Sequence, residues 1–358
     1  MAQPLLEVRD LSVHFTTEDG VVRAVDGVSH TLMPGEALGI VGESGSGKSV
    51  TMLTVMGLTR APNADIQGEI LFEGEDLLHM PGDRLRRVRG NEIAMIFQDP
   101  LSSLHPFYKV GRQLIEAIRT HRDVPKAAAR DRAVDLLDLV GIPEPHRRVD
   151  AYPHEFSGGK RQRAMIAMAL ANEPKLLIAD EPTTALDVTV QAQILDLIAR
   201  LRRELGMAVV LITHDLGVVA EVTDHITVMY AGQVVESASK DEIFAGPQHP
   251  YTWGLLRSIP RLDRDRGEAL VPISGRPPSL ISPPSGCRFH PRCPYVLPAH
   301  RRVEPALEDA GGNGGHQVRC LLTEATRRRL WRELDQGRDP AAARDAVKLE
   351  SVAEEAPA

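Results

Sequence analysis

Residues 42–49 read Gly42-Glu43-Ser44-Gly45-Ser46-Gly47-Lys48-Ser49. This fits G-x-x-x-x-G-K-[ST], a turn whose backbone N–H groups wrap around the phosphates of a nucleotide. Its glycines permit a tight turn and a close approach to phosphate oxygens. The Lys48 ammonium is suited to neutralising β- and γ-phosphates, and the Ser49 hydroxyl to ligating Mg²⁺. The flanks agree with this reading. Ala37-Leu-Gly-Ile-Val41 is a short apolar run, which predicts a buried strand, and Val50-Thr-Met-Leu-Thr-Val-Met56 predicts a helix after the turn.

Working outward, residues 5–41 read as β-rich. Leu6, Val8, Leu11, Val13 and Phe15 form a broken alternation, and Val21-Val-Arg-Ala-Val25 follows an Asp19-Gly20 turn signal. Further strands are expected at Gly68–Phe72, Glu92–Phe97, Lys175–Ala179, Met207–Thr213, Ile226–Met229 and Gln233–Val235. Between them, residues 110–172 carry helical spacing, for example Ala133, Leu136, Leu137 and Val140, with Gly141 closing the turn. Apolar strands alternating with helices imply an α/β fold with a parallel sheet covered on both faces.

Other stretches carry chemistry. Phe156-Ser157-Gly158-Gly159-Lys160-Arg161-Gln162-Arg163 is a Ser-Gly-Gly turn feeding a helix, an arrangement suited to holding phosphate. Lys175-Leu-Leu-Ile-Ala-Asp180-Glu181-Pro182 is an apolar strand ending in paired carboxylates. Asp180 can hold Mg²⁺ through water, while Glu181 points elsewhere and can polarise an attacking water. His214 ends the strand over 209–213 and can sense a γ-phosphate. Gln98 follows Ile96-Phe97 and can place an amide near metal and water.

Bulk properties bound the rest. A chain of 358 residues, 42% apolar, can bury more than one core, and two domains are expected. The net charge of −7 gives no electrostatic footprint for nucleic acid. The N-terminal ten residues acquire charge before any apolar core develops, so no signal peptide is expected, and no run approaches the length of a membrane span. The three cysteines all lie in the last fifth of the chain, which argues against a disulfide framework.

In order and spacing, these motifs resemble the nucleotide-binding subunits of ATP-binding cassette (ABC) transporters, over about residues 5–240. The Walker A loop matches 42–49, the glutamine loop Gln98, the signature 156–160, Walker B 176–181, the Asp-loop Ala185-Leu186-Asp187 and the switch histidine His214. The resemblance implies a P-loop NTPase fold with a helical subdomain at about 105–172 and a head-to-tail dimer closing on two ATP molecules. It implies ATP contacts from Phe15, Gly42, Glu43, Ser44, Gly45, Ser46, Gly47, Lys48, Ser49 and Val50. Mg²⁺ would be held by Ser49, Gln98 and Asp180, with Glu181 and His214 catalytic. Ser157, Gly158, Gly159 and Lys160 would face the partner's ATP, and Asp187 would act in the Asp-loop. The signature departs from Leu-Ser-Gly-Gly-Gln at both ends, with Phe156 for Leu and Lys160 for Gln.

The tail narrows the resemblance. Ser274–Leu280, Pro283-Pro-Ser-Gly-Cys287-Arg-Phe-His-Pro-Arg-Cys293-Pro and His316-Gln-Val-Arg-Cys320 are similar to the extension of the oligopeptide/dipeptide (peptide/nickel) importer ATPases. The divisions expected are a cassette over 1–255, the extension over 256–325, and a tail over 326–358 whose last ~20 residues look disordered. Membership would imply ATP-driven import of short peptides. Its partners would be two integral membrane permease subunits, a second ABC ATPase and an extracytoplasmic peptide-binding protein, with no nucleic acid. The seat would be the cytoplasmic face of the inner membrane. An importer for nickel or another solute, and a soluble ABC ATPase acting on nucleic acid or the ribosome, stay open as alternatives. Some members of the group hold an iron–sulfur cluster on four cysteines. Here Cys287, Cys293 and Cys320 are joined by His300, a set that could take iron–sulfur or zinc, or be an inert vestige.

Overall fold

The computed structural model describes residues 3–98, 103–184, 186–259, 272–311 and 315–352. Among the described residues two β-sheets form the core, and all their strands but two short ones lie in the N-terminal two thirds of the chain. Strands β1 (Leu6–Thr17), β2 (Gly20–Leu32), β4 (Ala64–Phe72) and β5 (Glu75–Asp76) form an antiparallel sheet ordered β2-β1-β4-β5. The Asp19-Gly20 signal turns β1 into β2, as its residues favour. The antiparallel pairing of this region was not legible in its broken alternation.

The larger sheet combines β3 (Ala37–Val41), β6 (Ile93–Ile96), β7 (Leu176–Asp180), β8 (Ala208–Thr213), β9 (His225–Tyr230), β10 (Gln233–Ser239), β11 (Glu308–Asp309) and β12 (Gln317–Val318). Its order is β11-β12-β10-β9-β3-β8-β7-β6. The run from β9 to β6 is parallel, and β10, β12 and β11 add antiparallel neighbours. The strands read as unbroken apolar runs because each is buried on both faces. In β8, Ala208, Val210 and Ile212 pack toward the antiparallel sheet, whereas Val209 and Leu211 join the helical side.

Helices α1 (Lys48–Val55) and α2 (Gly82–Val88) lie with the first core. The expected helical stretch resolves into α3 (Val110–His121), α4 (Lys126–Leu139), α5 (Pro145–Arg148) and α6 (Gly158–Ala169), followed after β7 by α7 (Val188–Leu205) and α8 (Leu216–Val222). Gly141 closes the turn after α4 in the left-handed conformation, φ 73°. After β10 come α9 (Lys240–Ala245) and α10 (Pro250–Arg257).

The C-terminal part departs from one expectation. Residues 339–352 are ordered structure: α11 (Glu324–Asp335) and α12 (Pro340–Ala346) pack Leu330, Leu334, Ala343 and Val347 against Trp253 and Tyr295. The composition, rich in Ala, Glu and Asp, hid two local signals. Asp339 caps α12 by accepting from Ala341 and Ala342 N–H at 2.9 Å, ahead of a proline at the first helical position. Ala343 and Val347 then form a minimal i, i+4 apolar stripe.

Candidate nucleotide site

The register of the parallel strands gathers the predicted residues. Val41 lies beside Thr213, Asp180 beside Ile212, and Ile96 beside Ala179. Loop 42–49, the Asp180-Glu181 pair, His214 and Gln98 therefore emerge together from the carboxyl ends of β3, β7, β8 and β6, where open α/β sheets bind ligands.

The loop is a backbone structure. A Cβ on Gly42 would stand 2.2 Å from the Met229 carbonyl oxygen, and one on Gly47, φ 102°, would stand 2.4 Å from that of Ala24. Neither position admits a side chain. Gly47 leads directly into α1, leaving the first amides of that helix unpaired within it. Lys48 is 4% exposed, and its ammonium donates to the carbonyls of Gly42 at 2.7 Å and Glu43 at 3.0 Å. Burial pushes its pKa down from the usual lysine value, opposed by the charges of Glu181, Asp180 and Glu43. An anion entering the loop meets a cation short of solvation.

The Ser49 hydroxyl donates to Asp180 Oδ1 at 2.9 Å. Burial raises the Asp180 pKa, and the Ser49 hydrogen bond opposes the rise. This hydroxyl–carboxylate pair is the hard oxygen donor set that Mg²⁺ prefers. Glu181, the first residue beyond β7, faces elsewhere. Its Oε2 accepts from Gln98 Nε2 and from Thr184 Oγ1, each at 2.9 Å, and its Oε1 lies 3.4 Å from His214 Nδ1. Gln98 thus bonds to Glu181 rather than to the Ser49–Asp180 pair. Glu181 also has a left-handed backbone, φ 45°, with its N–H bonded to the Ile212 carbonyl at 2.9 Å. A non-glycine residue held there is strained, and such strain gathers at functional sites.

Ser157 and Gly158 are exposed at the start of α6, and Phe156 is 3% exposed in the core beneath them. Phe156 therefore serves as an apolar anchor where the related pattern has Leu. A Cβ on Gly159 would lie 2.8 Å from Val190 Cγ1, so the glycine allows α6 to sit closely on α7. Asp187 caps α7, its Oδ1 accepting from Val190 N–H at 3.0 Å. Ala185 lies outside the described residues. Lys160 is half-buried in the first turn of α6. Phe15, half-buried in β1, pairs with Val22 and Ala64.

Sequence reasoning missed a second layer around the loop. The Glu43 N–H donates to the Tyr251 hydroxyl at 2.9 Å. The Glu43 carboxylate is gripped by Arg292, with Nη1–Oε2 2.5 Å and Nη2–Oε1 3.0 Å. No spacing rule links positions 43, 251 and 292. The one available signal was an arginine placed between His-Pro and Cys in the 290–293 stretch.

The Cys/His set behaves differently. The three thiols lie near enough that the charge on Cys287 or Cys320 would raise the pKa of Cys293, and burial raises all of them, Cys320 to about 12. His300 spends Nδ1 on the N–H of Leu297 at 3.1 Å, capping its own short turn. Among the described residues no group of three or more His, Cys, Asp or Glu is arranged to hold a metal ion. The described structure thus does not arrange the expected iron–sulfur or zinc set as a metal site.

A glycine turn between strand and helix, a buried lysine, and paired carboxylates at the end of β7 define a P-loop nucleotide-binding site. Known proteins agree. The family model "ABC transporter" matches residues 25–184, and "Oligopeptide/dipeptide transporter, C-terminal region" matches 235–299. The oligopeptide transport ATP-binding protein OppD of Bacillus subtilis is 55% identical over 304 residues, 85% of each chain. A putative peptide import ATP-binding protein of Brucella abortus is 52% identical over 90% of this chain and 96% of its own. Among solved structures, an ATP-binding cassette dimer bound to ADP and phosphate superposes with TM-score 0.59 at 28% identity, over 66% of this chain and 98% of its own. The chain belongs to the ATP-binding proteins of the oligopeptide/dipeptide ABC transporters, and it is an ABC ATPase. Among the described residues no helix is long and apolar enough to cross a membrane.

Proposed function

We propose that this chain hydrolyses ATP to drive import of di- and oligopeptides through membrane permease subunits. The observation that carries the reading is the contact set of Glu181: bonded to Gln98 and Thr184, beside His214, and separated in role from the Ser49–Asp180 pair. Residues 42–50 and Lys48 bind the phosphates, with Phe15 against the adenine. Ser49 and Asp180 would hold Mg²⁺, which would supply positive charge to the bound phosphates, and Gln98, bonded to Glu181, lies beside them. Glu181 accepts the proton of the attacking water and His214 contacts the γ-phosphate. Ser157, Gly158, Gly159 and Lys160 complete the site of a second ATPase subunit in a closed dimer, with Asp187 at the junction. The cassette over 1–255 does this work, and the extension over 256–325 marks the peptide-importer group.

Coupling to the permeases runs through a groove of about 580 Å³ between the core and the helical arm. Met56, Met95, Met165 and Met168 line it beside Phe97, which is 41% exposed. Unbranched, polarizable methionines adapt to a docked apolar helix. In this reading the subunit sits on the cytoplasmic face of the membrane, opposite an extracytoplasmic peptide-binding protein. The test is co-purification with integral membrane subunits, then uptake of labelled dipeptides and of Ni²⁺ by the assembled complex in vesicles. ATP-dependent peptide accumulation is the expected result. Nickel uptake without peptide uptake would reassign the cargo.

A further inference from the structure

The C-terminal extension reaches the nucleotide loop. Residues 287–293 form a tight bend in which Phe289 O accepts from the N–H groups of Arg292 and Cys293, each at 3.0 Å. The bend carries two arginines, and both point at the ATP-binding machinery. Arg288 donates to the Ala231 carbonyl at 2.6 Å and pairs with Asp26. Ala231 belongs to the turn between β9 and β10. The next residue, Gly232, donates its N–H to the Ser46 carbonyl at 3.0 Å. Arg292 is the more direct. Its side chain is 4% exposed, and it forks onto both oxygens of Glu43. Its Nε is anchored by the Ser274 carbonyl at 2.9 Å, and its guanidinium lies 5.7 Å from the Tyr230 ring centre.

Glu43 is a carboxylate inside a loop built for phosphate. Its own carbonyl accepts from Lys48, and its N–H is held by Tyr251. Unpaired, its negative charge would repel an incoming triphosphate and leave the loop backbone free to shift. A bidentate arginine removes both problems, because the fork fixes direction as well as charge.

We propose that Arg292 is a positioning residue for ATP: by neutralising and orienting Glu43 it sets the conformation of loop 42–49, so that the extension forms the outer wall of the nucleotide site. The inference rests on residues 42–49 being the ATP loop. The experiment titrates the full-length chain with ATP and measures steady-state hydrolysis in parallel. Arg292→Ala should weaken ATP binding roughly ten-fold or more, through the unscreened carboxylate, and raise KM with much less change in kcat. Arg292→Lys keeps the charge but not the fork, so its loss should be intermediate. In the double variant Arg292→Ala/Glu43→Gln the repelling charge is gone, and much of the lost affinity should return. A merely structural arginine would lower the melting temperature without this recovery. Should Arg292→Ala fail to fold, Arg292→Gln, which keeps volume and a donor, carries the same expectation. Wild-type ATP affinity in the folded single variant overturns the proposal. Lys48→Ala is the control: if it too binds ATP normally, the loop assignment itself falls. If Lys48→Ala loses ATP and Arg292→Ala does not, only the present inference falls.

Discussion

The nucleotide site and the cysteine-bearing bend lie on either side of the same loop, yet they hold their polar groups in opposite ways. In the first, side chains from different strand ends satisfy one another, Ser49 with Asp180 and Glu181 with Gln98, beside the local bonds of Lys48 to its own loop and of Thr184 to Glu181. In the second, burial raises the thiol pKa of Cys287, Cys293 and Cys320, and His300 Nδ1 accepts from Leu297 N–H within its own turn. A constellation of polar residues becomes a site when rigid strands aim its members at one point. Members carried on short bends cluster without converging.

The largest effect that could break this contrast is at Glu181. Glu181→Gln keeps the hydrogen-bonding shape and removes the base, so turnover should fall by ~10²–10⁴-fold while ATP still binds. Near wild-type hydrolysis by this variant would mean that the contact set of Glu181 is structural, like that of the cysteines.

Ser157→Arg comes next. The exposed start of α6 should then fail to dock on a second subunit, and ATP-driven dimerisation measured by sedimentation should disappear while the single chain still binds ATP. Dimerisation at the wild-type ATP concentration would remove the composite site from the reading.

On the other side of the comparison, Cys320→Ser should cost ~1 kcal/mol in urea unfolding, because it puts a hydroxyl where a half-buried thiol packs against the Trp253–Tyr295 cluster. Iron and zinc in protein purified without oxygen should be well below one equivalent. A stoichiometric cluster or zinc ion would show that the cysteines do converge when metal is supplied.

A last effect is expected on acid stability. His249 is 1% exposed, and burial, helped by the nearby positive charge of Arg327, pushes its pKa down to about 3. Below the ordinary histidine value of ~6.5 the unfolded chain takes up a proton that the native state refuses. Stability should therefore fall with decreasing pH from that point to about 3, by ~1 kcal/mol per pH unit, and this contribution should be flat below. His249 Nδ1 accepts from Tyr251 N–H at 3.1 Å as the cap of α10. His249→Asn keeps a capping oxygen and should flatten part of that acid slope in urea titrations at pH 7 and 5. An unchanged slope would show that the ring is hydrated and titrates normally.

Much of the parallel sheet was legible because strands buried on both faces leave continuous apolar runs, as in Lys175–Ala179 and Met207–Thr213. The nucleotide residues were legible for a related reason: a strand end, a glycine turn and a helix start each leave a mark within a few residues. The second layer left none. Arg292 reaches Glu43 across 249 positions, and Tyr251 reaches the Glu43 amide across 208. Such pairs follow from how the extension folds back, which local pattern does not encode. The α11–α12 packing escaped for the opposite reason, since its apolar stripe is too thin to stand out from a charged, alanine-rich background.

The two-residue strand β12 has a consequence for anyone who shortens this protein. It covers the outer rim of β10 by pairing Glu236 with Val318 and Ser237 with Gln317, and Arg319 N–H reaches the Val235 carbonyl at 2.9 Å. Beyond it the sheet stops at Glu308 and Asp309, a pair too short and too acidic to recruit another strand. A cassette ending after residue 259 would lose that stopper and bare the Trp253 surface that packs against Tyr295 at 5.5 Å. Open rim and uncovered indole together favour edge-to-edge aggregation. Such a fragment should precipitate or form soluble multimers on concentration, and the extension in this respect acts as an end cap that keeps the cassette dispersed.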